Sequence, residues 1–340
     1  MRWLNLAAIG GMLLCYLAAY VNPARYWQSA FVALSYPYLL LLHAGFMLFW
    51  VVTKNYKNIL FSFLCLLLGW SHLNSLFAFR WANQEVPSSK PTYTVLTYNV
   101  GTIKWGKGDV SLRANDFLAR QNADFLLLQE VPTVENYLLS KVPFLQQYPF
   151  FYQATSDGKV IFSKFPIGDH GCLRSENSSN GSTFADIELP EKKIIRLYNV
   201  HLQSNSVSGS LQKLGNEQEN SEQLKQKARG ILAQIRHTYP MRVEQAEQLC
   251  QHARQSPNWV VLGGDFNDTP QSYIYRMLGE NRCDAWQVAG MGWGVTYRER
   301  PPFLHIDHIL MHPKFEIFSC KILDEAHLSD HNPVVSCFSF

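Results

Sequence analysis

From Tyr93 to the C-terminus the chain alternates between short, β-branched apolar runs and polar segments with helical spacing. Apolar runs of about four to eight residues that end in turn residues are typical of buried β-strands. Strands interleaved with helices predict one α/β domain, in which two sheets pack face to face with helices outside. The helical patterns cover Ser111–Gln121, Gln218–Thr238 and Arg242–Gln255.

The first 80 residues are different, because three long apolar runs fill them, at about Leu4–Val21, Ala30–Val52 and Ile59–Phe79. Each run has about the length that crosses a hydrocarbon core of ~30 Å. Trp and Tyr residues cluster near the ends of the runs, as in an aromatic belt. We therefore predict three transmembrane helices in residues 1–81, a linker at residues 82–92 and a catalytic domain at residues 93–340. Two alternatives stay open: a cleaved signal peptide in the first run, or three core helices of a soluble domain.

The distribution of Lys and Arg around these runs barely favours one orientation. The positive charge of the free amino terminus favours an N-terminus on the cytoplasmic side. We therefore expect an integral, multi-pass protein of the inner or plasma membrane with an extracytoplasmic catalytic domain. The net charge of +3 is too small to predict a polyanionic partner by itself. The seven cysteines show no CxxC or Cys/His spacing for zinc, and buried thiols are favoured over disulfides.

Six patches of acidic, amide and histidine residues follow one another along the predicted α/β domain, and five of them lie at or just past the end of an apolar run. They are TYNVG (Asn99), LLLQEV (Glu130), YNVHLQS (His201), GGDFND (Asp265, Asn267), HIDHIL (Asp307) and LSDHNPV (Asp330, His331). Side chains at strand ends lie along one edge of a sheet. The pattern therefore predicts that they converge on a divalent metal and a phosphate.

The chemistry of the later patches suits hydrolysis by water. Asp265 and Asn267 are two residues apart, so on an extended segment they point the same way and can deprotonate and hold a water molecule. The His331 imidazole could donate to a phosphate oxygen or move a proton. Asp307 could orient that imidazole or bind a metal.

The earlier patches suit a hard metal ion. A buried strand that ends in Glu130 is costly unless the charge is paired or metal-bound. Oxygen ligands without Cys or His clusters favour Mg²⁺, Mn²⁺ or Ca²⁺ over zinc. Asn99 and His201 also follow strand ends and could bind metal or phosphate oxygens.

In this order the motifs resemble the endonuclease/exonuclease/phosphatase superfamily, over nearly three quarters of the chain. The motifs are Asn99, Gln129-Glu130, Asn199–Leu202, Gly264–Asn267, Ile306-Asp307 and Ser329–His331. The resemblance implies a four-layer α/β sandwich of two mixed sheets flanked by helices. The strings GKVIFSKFPI, DTPQSYIYR and WGVTYRER look like those of membrane-anchored bacterial members of uncertain substrate.

The resemblance also implies roles for the site residues. Glu130 would be the main Mg²⁺ ligand, with Asn99 nearby and Asp330 or Asp307 assisting. Asp265 would activate or orient the attacking water, Asn267 would contact the phosphate, and His331 and His201 would stabilise charge in the transition state. Whether Asp265 or His331 is the general base stays open. One departure is His305, because the family pattern has a basic residue, usually Arg, just before the Ile-Asp motif.

These observations predict a membrane-anchored, divalent-metal-dependent phosphoesterase that cleaves phosphodiester or phosphomonoester bonds by in-line attack of water. A lipid or another small phosphoester is favoured over nucleic acid, because no dense basic patch is present. A nuclease acting on DNA or RNA and a non-catalytic, membrane-anchored binding module remain as alternatives. No protein partner is implied.

Overall fold

The computed structural model describes most of the chain. The described residues are 1–80, 90–101, 109–132, 138–154, 158–175, 178, 180–204, 221–299, 301–324 and 327–340. Most of the predicted linker at residues 82–92 lies outside them.

The strands and helices are numbered in chain order. The strands are β1 (Phe77–Phe79), β2 (Tyr93–Asn99), β3 (Phe125–Gln129), β4 (Phe150–Gln153), β5 (Val160–Ser163), β6 (Ile167–Arg174), β7 (Gly181–Leu189), β8 (Lys193–His201), β9 (Trp259–Asp265), β10 (Cys283–Asp284), β11 (Met291–Trp293), β12 (Asp307–Met311), β13 (Glu316–Ile322) and β14 (Val334–Ser339). The helices are α1 (Arg2–Ala18), α2 (Gln28–Leu34), α3 (Tyr36–Val52), α4 (Tyr56–Leu68), α5 (Trp70–Leu76), α6 (Asp109–Gln121), α7 (Leu139–Lys141), α8 (Ser221–Arg254), α9 (Tyr273–Leu278) and α10 (Ala285–Ala289).

Two six-stranded sheets form the centre of the α/β domain, with strand orders β10-β12-β9-β8-β7-β6 and β13-β14-β2-β3-β5-β4. Within the described strands, each sheet contains one parallel pair, β8–β9 or β2–β3, and is otherwise antiparallel. Parallel neighbours end at the same edge of a sheet. The carboxyl ends of β8 and β9 therefore lie side by side, and so do those of β2 and β3.

Apolar side chains divide this domain into four layers. One buried cluster fills the space between the sheets and includes Val95, Leu127, Leu197 and Val261. A second cluster joins the outer face of the β2–β3 sheet to α6, and a third joins the outer face of the β8–β9 sheet to α8 and α9. The prediction of two mixed sheets flanked by helices is therefore confirmed.

The helix α8 corrects one prediction, because it runs without a break through Pro240. The sequence pattern predicted two helices, ending at Thr238 and starting at Arg242. A proline inside a helix removes one backbone hydrogen bond and usually kinks or ends it. Here Tyr239, Val243 and Ala246 are all buried against the sheet on either side of the proline, so packing holds the helix together.

The N-terminal runs are helical, but the prediction of three uninterrupted transmembrane helices is not supported. Within the described residues no single helix is both long and apolar enough to cross a membrane, and two bent pairs reach that length only together. α2 and α3 meet at 48°, and α4 and α5 meet at 74°. The second bend lies at Gly69, where any Cβ would collide with the ring of Tyr16. The first lies at Ser35, just before Pro37 in the first turn of α3, a position that suits a residue without an N–H.

The N-terminal helices pack directly on the α/β domain. β1 pairs antiparallel with β11, so that Phe77 lies opposite Trp293. The backbone N–H of Gly294 donates to the carbonyl of Leu76 at 2.7 Å, and Arg276 Nε donates to the carbonyl of Ala19 at 2.9 Å. The two parts of the chain therefore share strand pairing as well as side-chain contacts.

Candidate active site

Strand register brings three of the predicted site residues together. In the parallel pair β8–β9, His201 lies opposite Asp265, and in the antiparallel pair β9–β12, Asp265 lies opposite Asp307. All three side chains therefore stand at the same end of this sheet. In the facing sheet, Asn99 ends β2 and Glu130 follows β3 directly.

Asn99 joins the two sheets at this end. Its Nδ2 donates to Glu130 Oε1 at 3.2 Å and to Asp265 Oδ2 at 3.0 Å. His201 Nε2 lies 3.9 Å and 3.8 Å from the same two carboxylate oxygens. Glu130 has a φ of +56°, a left-handed conformation that is costly for a non-glycine residue and clusters at functional sites. Four residues from four strand ends therefore form one connected group.

His331 and Asp307 form a second, adjoining group. His331 Nδ1 lies 2.9 Å from Asp307 Oδ2 and 3.1 Å from Oδ1, and its Nε2 lies 3.8 Å from Asp265 Oδ2. Thr296 Oγ1 accepts from the backbone N–H of Asp307, and the Tyr297 ring stands nearly edge-on to the imidazole at 5.1 Å. The carboxylate therefore fixes the orientation of the imidazole, and its Nε2 faces Asp265.

The two imidazoles carry different charges at neutral pH. Burial lowers the pKa of His331, but the carboxylates of Asp307 and Asp265 act more strongly and raise it to about 10. Burial lowers the pKa of His201 to about 4, although the Asp265 carboxylate opposes this effect. Burial also raises the pKa of the Asp265 carboxyl, against the opposing charge of His331. The site thus contains a cationic His331 and a neutral His201 on either side of Asp265.

Asn267 holds Asp265 in place. Its backbone N–H donates to Asp265 Oδ1 at 2.8 Å, and its side-chain Nδ2 donates to the carbonyl of Leu202 at 2.9 Å. The φ of Asn267 is +53°, which asparagine tolerates better than most residues. The structure therefore places this amide as a support for the carboxylate and for the loop that follows His201.

Asp330 stands at the edge of the site. Its Oδ1 accepts from Ser329 Oγ at 3.0 Å, and its carbonyl accepts from the backbone N–H of Arg298 at 2.9 Å. Its charge still contributes to the raised pKa of His331. His305, the departure from the family pattern, is buried beneath α5, where its Nδ1 lies 3.2 Å from the carbonyl of Ser75. Because it packs against the N-terminal helices, His305 is not placed to contact a phosphate.

The sequence analysis assigned no role to two supporting features of the site. Gln129 Nε2 donates to Asn199 Oδ1 at 2.7 Å, which links the two sheets beneath the site. From α8, Arg242 Nε donates to the carbonyl of Gln203 at 2.8 Å, and Gln245 Oε1 accepts from the N–H of the same residue at 2.8 Å. The Gln129 amide lies within a recognised motif, but nothing in the sequence signals that α8 clamps the loop after His201.

Two groups of residues could hold a cation. Asp265, Asp307 and His331 each offer a ligand atom, and these atoms lie within 4.8 Å of one another. We favour a proton over a metal there, because Asp307 already accepts from His331 Nδ1 at 2.9 Å. The carboxylates of Glu130 and Asp265 beside Asn99 offer an oxygen-rich set of the kind that hard divalent cations prefer, and the Glu130 side chain is partly open to solvent.

Comparison with known proteins identifies the family. A family model described as Endonuclease/Exonuclease/phosphatase family matches residues 96–331, which include every predicted site residue. The chain belongs to this family. A second model, described as a domain of unknown function (DUF8431), matches residues 1–76. No curated protein matches the chain at a significant level.

Several solved structures have the same fold as residues in the matched region. An endonuclease/exonuclease/phosphatase from Beutenbergia cavernae has 18% identity and a TM-score of 0.51, covering 73% of this chain and 72% of that one. The human Nocturnin catalytic domain with bound sulfate has 16% identity and a TM-score of 0.53, covering 74% and 94%. A functionally unknown conserved protein from Enterococcus faecalis has 14% identity and a TM-score of 0.53, covering 72% and 99%. The membrane-anchored type stays a prediction.

Proposed function

We propose that this chain is a divalent-metal-dependent phosphoesterase that cleaves a P–O ester bond by in-line attack of water. The observation that carries the proposal is the convergence of Asn99, Glu130, His201 and Asp265 on one side, and of Asp307 and His331 on the other. Family membership supports the reaction class, since hydrolases of this superfamily act on phosphoester bonds. An imidazole that is held by one buried carboxylate and faces another is more typical of a catalytic site than of a binding module.

Geometry suggests the roles of the two central side chains. His331 already shares a proton with Asp307, so its Nε2–H is suited to donate to a non-bridging phosphate oxygen. Asp265 accepts from the Asn267 N–H and faces both imidazoles, so its carboxylate is suited to orient and deprotonate the attacking water. We therefore assign the general base to Asp265 and the stabilisation of transition-state charge to His331, with His201 as a neutral donor.

A divalent metal fits the Glu130 side of the site, and we favour Mg²⁺ over Mn²⁺ or Ca²⁺. Glu130 would hold the ion, with Asn99 and Asp265 beside it. When bound, the ion supplies positive charge that polarises the phosphoryl group. Asp330 was predicted to assist, but its carboxylate is held by Ser329, so we assign it to the edge of the site.

For the substrate we favour a lipid or another small phosphoester, and a nuclease acting on DNA or RNA is the second candidate. The human Nocturnin catalytic domain holds a sulfate, an anion that resembles phosphate in shape and charge, which supports an anion site on this fold. We also propose that the N-terminal helices anchor the protein in a bilayer, with the catalytic domain on the extracytoplasmic side.

The test is turnover of the soluble diester bis(p-nitrophenyl) phosphate by the full chain purified in detergent. We expect hydrolysis that requires Mg²⁺, stops with a chelator and falls at least about 100-fold in Glu130→Gln. Glu247→Gln, an exposed carboxylate on α8, is the matched control and should keep wild-type activity. Absence of turnover with Mg²⁺, Mn²⁺ and Ca²⁺ alike would favour the binding module.

A further inference from the structure

A row of aromatic side chains joins the N-terminal helices to the catalytic domain. Trp70 of α5 stacks on Phe79 of β1 at 5.1 Å, and Phe79 contacts Phe77 at 4.9 Å. Phe77 packs edge-on against Trp293 of β11 at 5.2 Å, and Trp293 lies 6.4 Å from Phe303. We call these five residues, together with Met291, the junction ridge.

Much of the junction ridge is in contact with solvent. Met291 is 72% exposed, Trp293 is 48% exposed, and Trp70, Phe79 and Phe303 are also exposed. Soluble proteins rarely display a contiguous apolar surface of this kind unless it binds a partner or a membrane. Aromatic side chains are favoured at the boundary between an apolar region and water, such as the surface of a bilayer.

The ridge is continuous with a bundle of apolar helices. α1, α3 and α4 pack together through two small buried clusters. Their outer faces carry exposed leucines at positions 4, 13, 14, 17, 41, 42, 48, 60, 64, 67 and 68. Each of α1 and α3 has 17 residues and is therefore about 26 Å long, short of the ~30 Å of a hydrocarbon core, a length that α3 reaches only together with α2. Exposed Tyr38 donates its hydroxyl to the carbonyl of Pro302, next to Phe303 of the ridge, and exposed Tyr20 lies under the Arg276 guanidinium.

The bundle docks at the end of the sheet that carries the active site. Gln271 Nε2 donates to the carbonyl of His72 at 3.2 Å, from the segment that follows β9. Gly294 and His305, which contact Leu76 and Ser75, lie in the segment before β12. Since Asp265 ends β9 and Asp307 begins β12, the helices and the catalytic residues occupy one end of the domain.

Chain connectivity limits how far the ridge can be from the catalytic residues. Trp293 is four residues before Tyr297, whose ring contacts His331, and Phe303 is four residues before Asp307. Four residues span at most about 14 Å. A bilayer is ~30 Å thick across its hydrocarbon core and ~40–45 Å with its head groups, so each head-group layer is only about 5–8 Å deep. If the ridge lies in that layer, lipid phosphates lie close to His331 and Asp307.

We propose that the junction ridge sits in the head-group layer of a bilayer, and that the substrate is a phosphodiester in the head group of a bilayer lipid. The inference rests on the proposed phosphoesterase function. In the reaction, the water oxygen bonds to phosphorus, the P–O bond to one alcohol breaks, and that alcohol oxygen takes up a proton. Arg80 and Arg298 beside the ridge suit an anionic lipid surface.

The experiment uses the full chain reconstituted in phosphatidylcholine vesicles that contain phosphatidylglycerol. Release of head-group product from each lipid is measured beside turnover of soluble bis(p-nitrophenyl) phosphate, and the ratio of the two rates is the readout. The double variant Trp293→Ser/Phe303→Ser should lower that ratio about tenfold, because two aromatic anchors are lost. Met291→Asp should lower the ratio as well. Because the Met291 side chain is largely exposed, this substitution should affect folding little.

The matched control is Trp259→Ser. Trp259 is 37% exposed and begins β9, at the opposite end from Asp265, so its loss should leave the ratio within about twofold of wild type. Brominated phosphatidylcholine should also quench the fluorescence of Trp293 and leave that of Trp259 unaffected. The quenching of each residue is the difference between wild type and the variant that lacks it.

The outcomes separate this inference from the proposed function. An unchanged ratio in both ridge variants, with no Trp293-dependent quenching, would overturn the membrane position of the ridge. Turnover of the soluble diester or of nucleic acid without any lipid cleavage would overturn the lipid substrate and leave the phosphoesterase standing. Absence of turnover with every substrate would overturn the proposed function itself, while the quenching measurement would still decide the position of the ridge.

Discussion

Asp307→Asn is the sharpest test of how the site works, because it removes one charge and almost no volume. Asp307 Oδ2 lies 2.9 Å from His331 Nδ1, and opposite unit charges at that distance attract by roughly 6 kcal/mol at an effective dielectric constant of about 20. Together with Asp265, this carboxylate outweighs burial and raises the pKa of His331 to about 10. Without it, only the carboxylates of Asp265 and Asp330 still oppose burial, so the pKa should fall from about 10 toward the ordinary value near 6.5.

At about pH 8 the His331 imidazole of Asp307→Asn should therefore be neutral and no longer held in one tautomer, and kcat/KM should fall by about 10²–10⁴-fold. As the assay pH is lowered toward about 5.5, more of this imidazole is protonated, so the variant should recover relative to wild type. The assay is kcat/KM against pH for wild type, Asp307→Asn and His331→Gln, the last of which sets the floor. A variant that keeps more than about a tenth of wild-type kcat/KM at pH 8, or whose profile runs parallel to wild type, would refute the reasoning.

Three further predictions concern the support of the site. Arg242→Met leaves the buried Asp268 carboxylate without the guanidinium 3.5 Å away and should cost ~3–5 kcal/mol of unfolding free energy in urea, whereas a loss under ~1 kcal/mol would contradict a structural ion pair. Burial lowers the pKa of His308 well below 6.5, so the unfolded chain binds the proton first and stability is lost as the pH falls below about 6.5. His308→Gln should reduce that loss by up to ~1.4 kcal/mol per pH unit, seen as a flatter plot of Tm against pH, and parallel plots would count against it. Gly264→Ala places a Cβ against the Val200 carbonyl at a φ of +150° and should destabilise by more than ~3 kcal/mol, with little loss of Tm as the contrary result.

The catalytic domain could be predicted from sequence because its strands end where its polar residues begin. The register of β8 with β9 places His201 beside Asp265, and the apolar runs that set this register are plain in the sequence. The distances within the site could not be predicted. They depend on contacts across the fold, such as the Gln129–Asn199 bond between the sheets and the Arg242 clamp from α8.

The N-terminal segment was harder to predict for a physical reason. In α3 the apolar residues are spread almost evenly around the helix, so periodicity carries no information about where the chain bends before it. The break at Gly69 depends on the position of the Tyr16 ring on another helix, which no local pattern shows. At Pro240 the sequence predicted a break that the structure does not have. Packing on the sheet outweighs the local preference of proline to end a helix.

The strand pairing of β1 with β11 has a practical consequence for anyone who wishes to study the hydrolase portion by itself. A fragment starting at Lys90 would lose the carbonyls that accept from Gly294 and from the ring of His305, and it would uncover the side chain of Trp293 that faces Phe77. Those groups sit a few residues from Thr296 and Asp307, which fix the catalytic imidazole. Poor activity or aggregation of such a shortened protein would reflect a damaged edge of the fold, and would say nothing about whether the intact enzyme is competent.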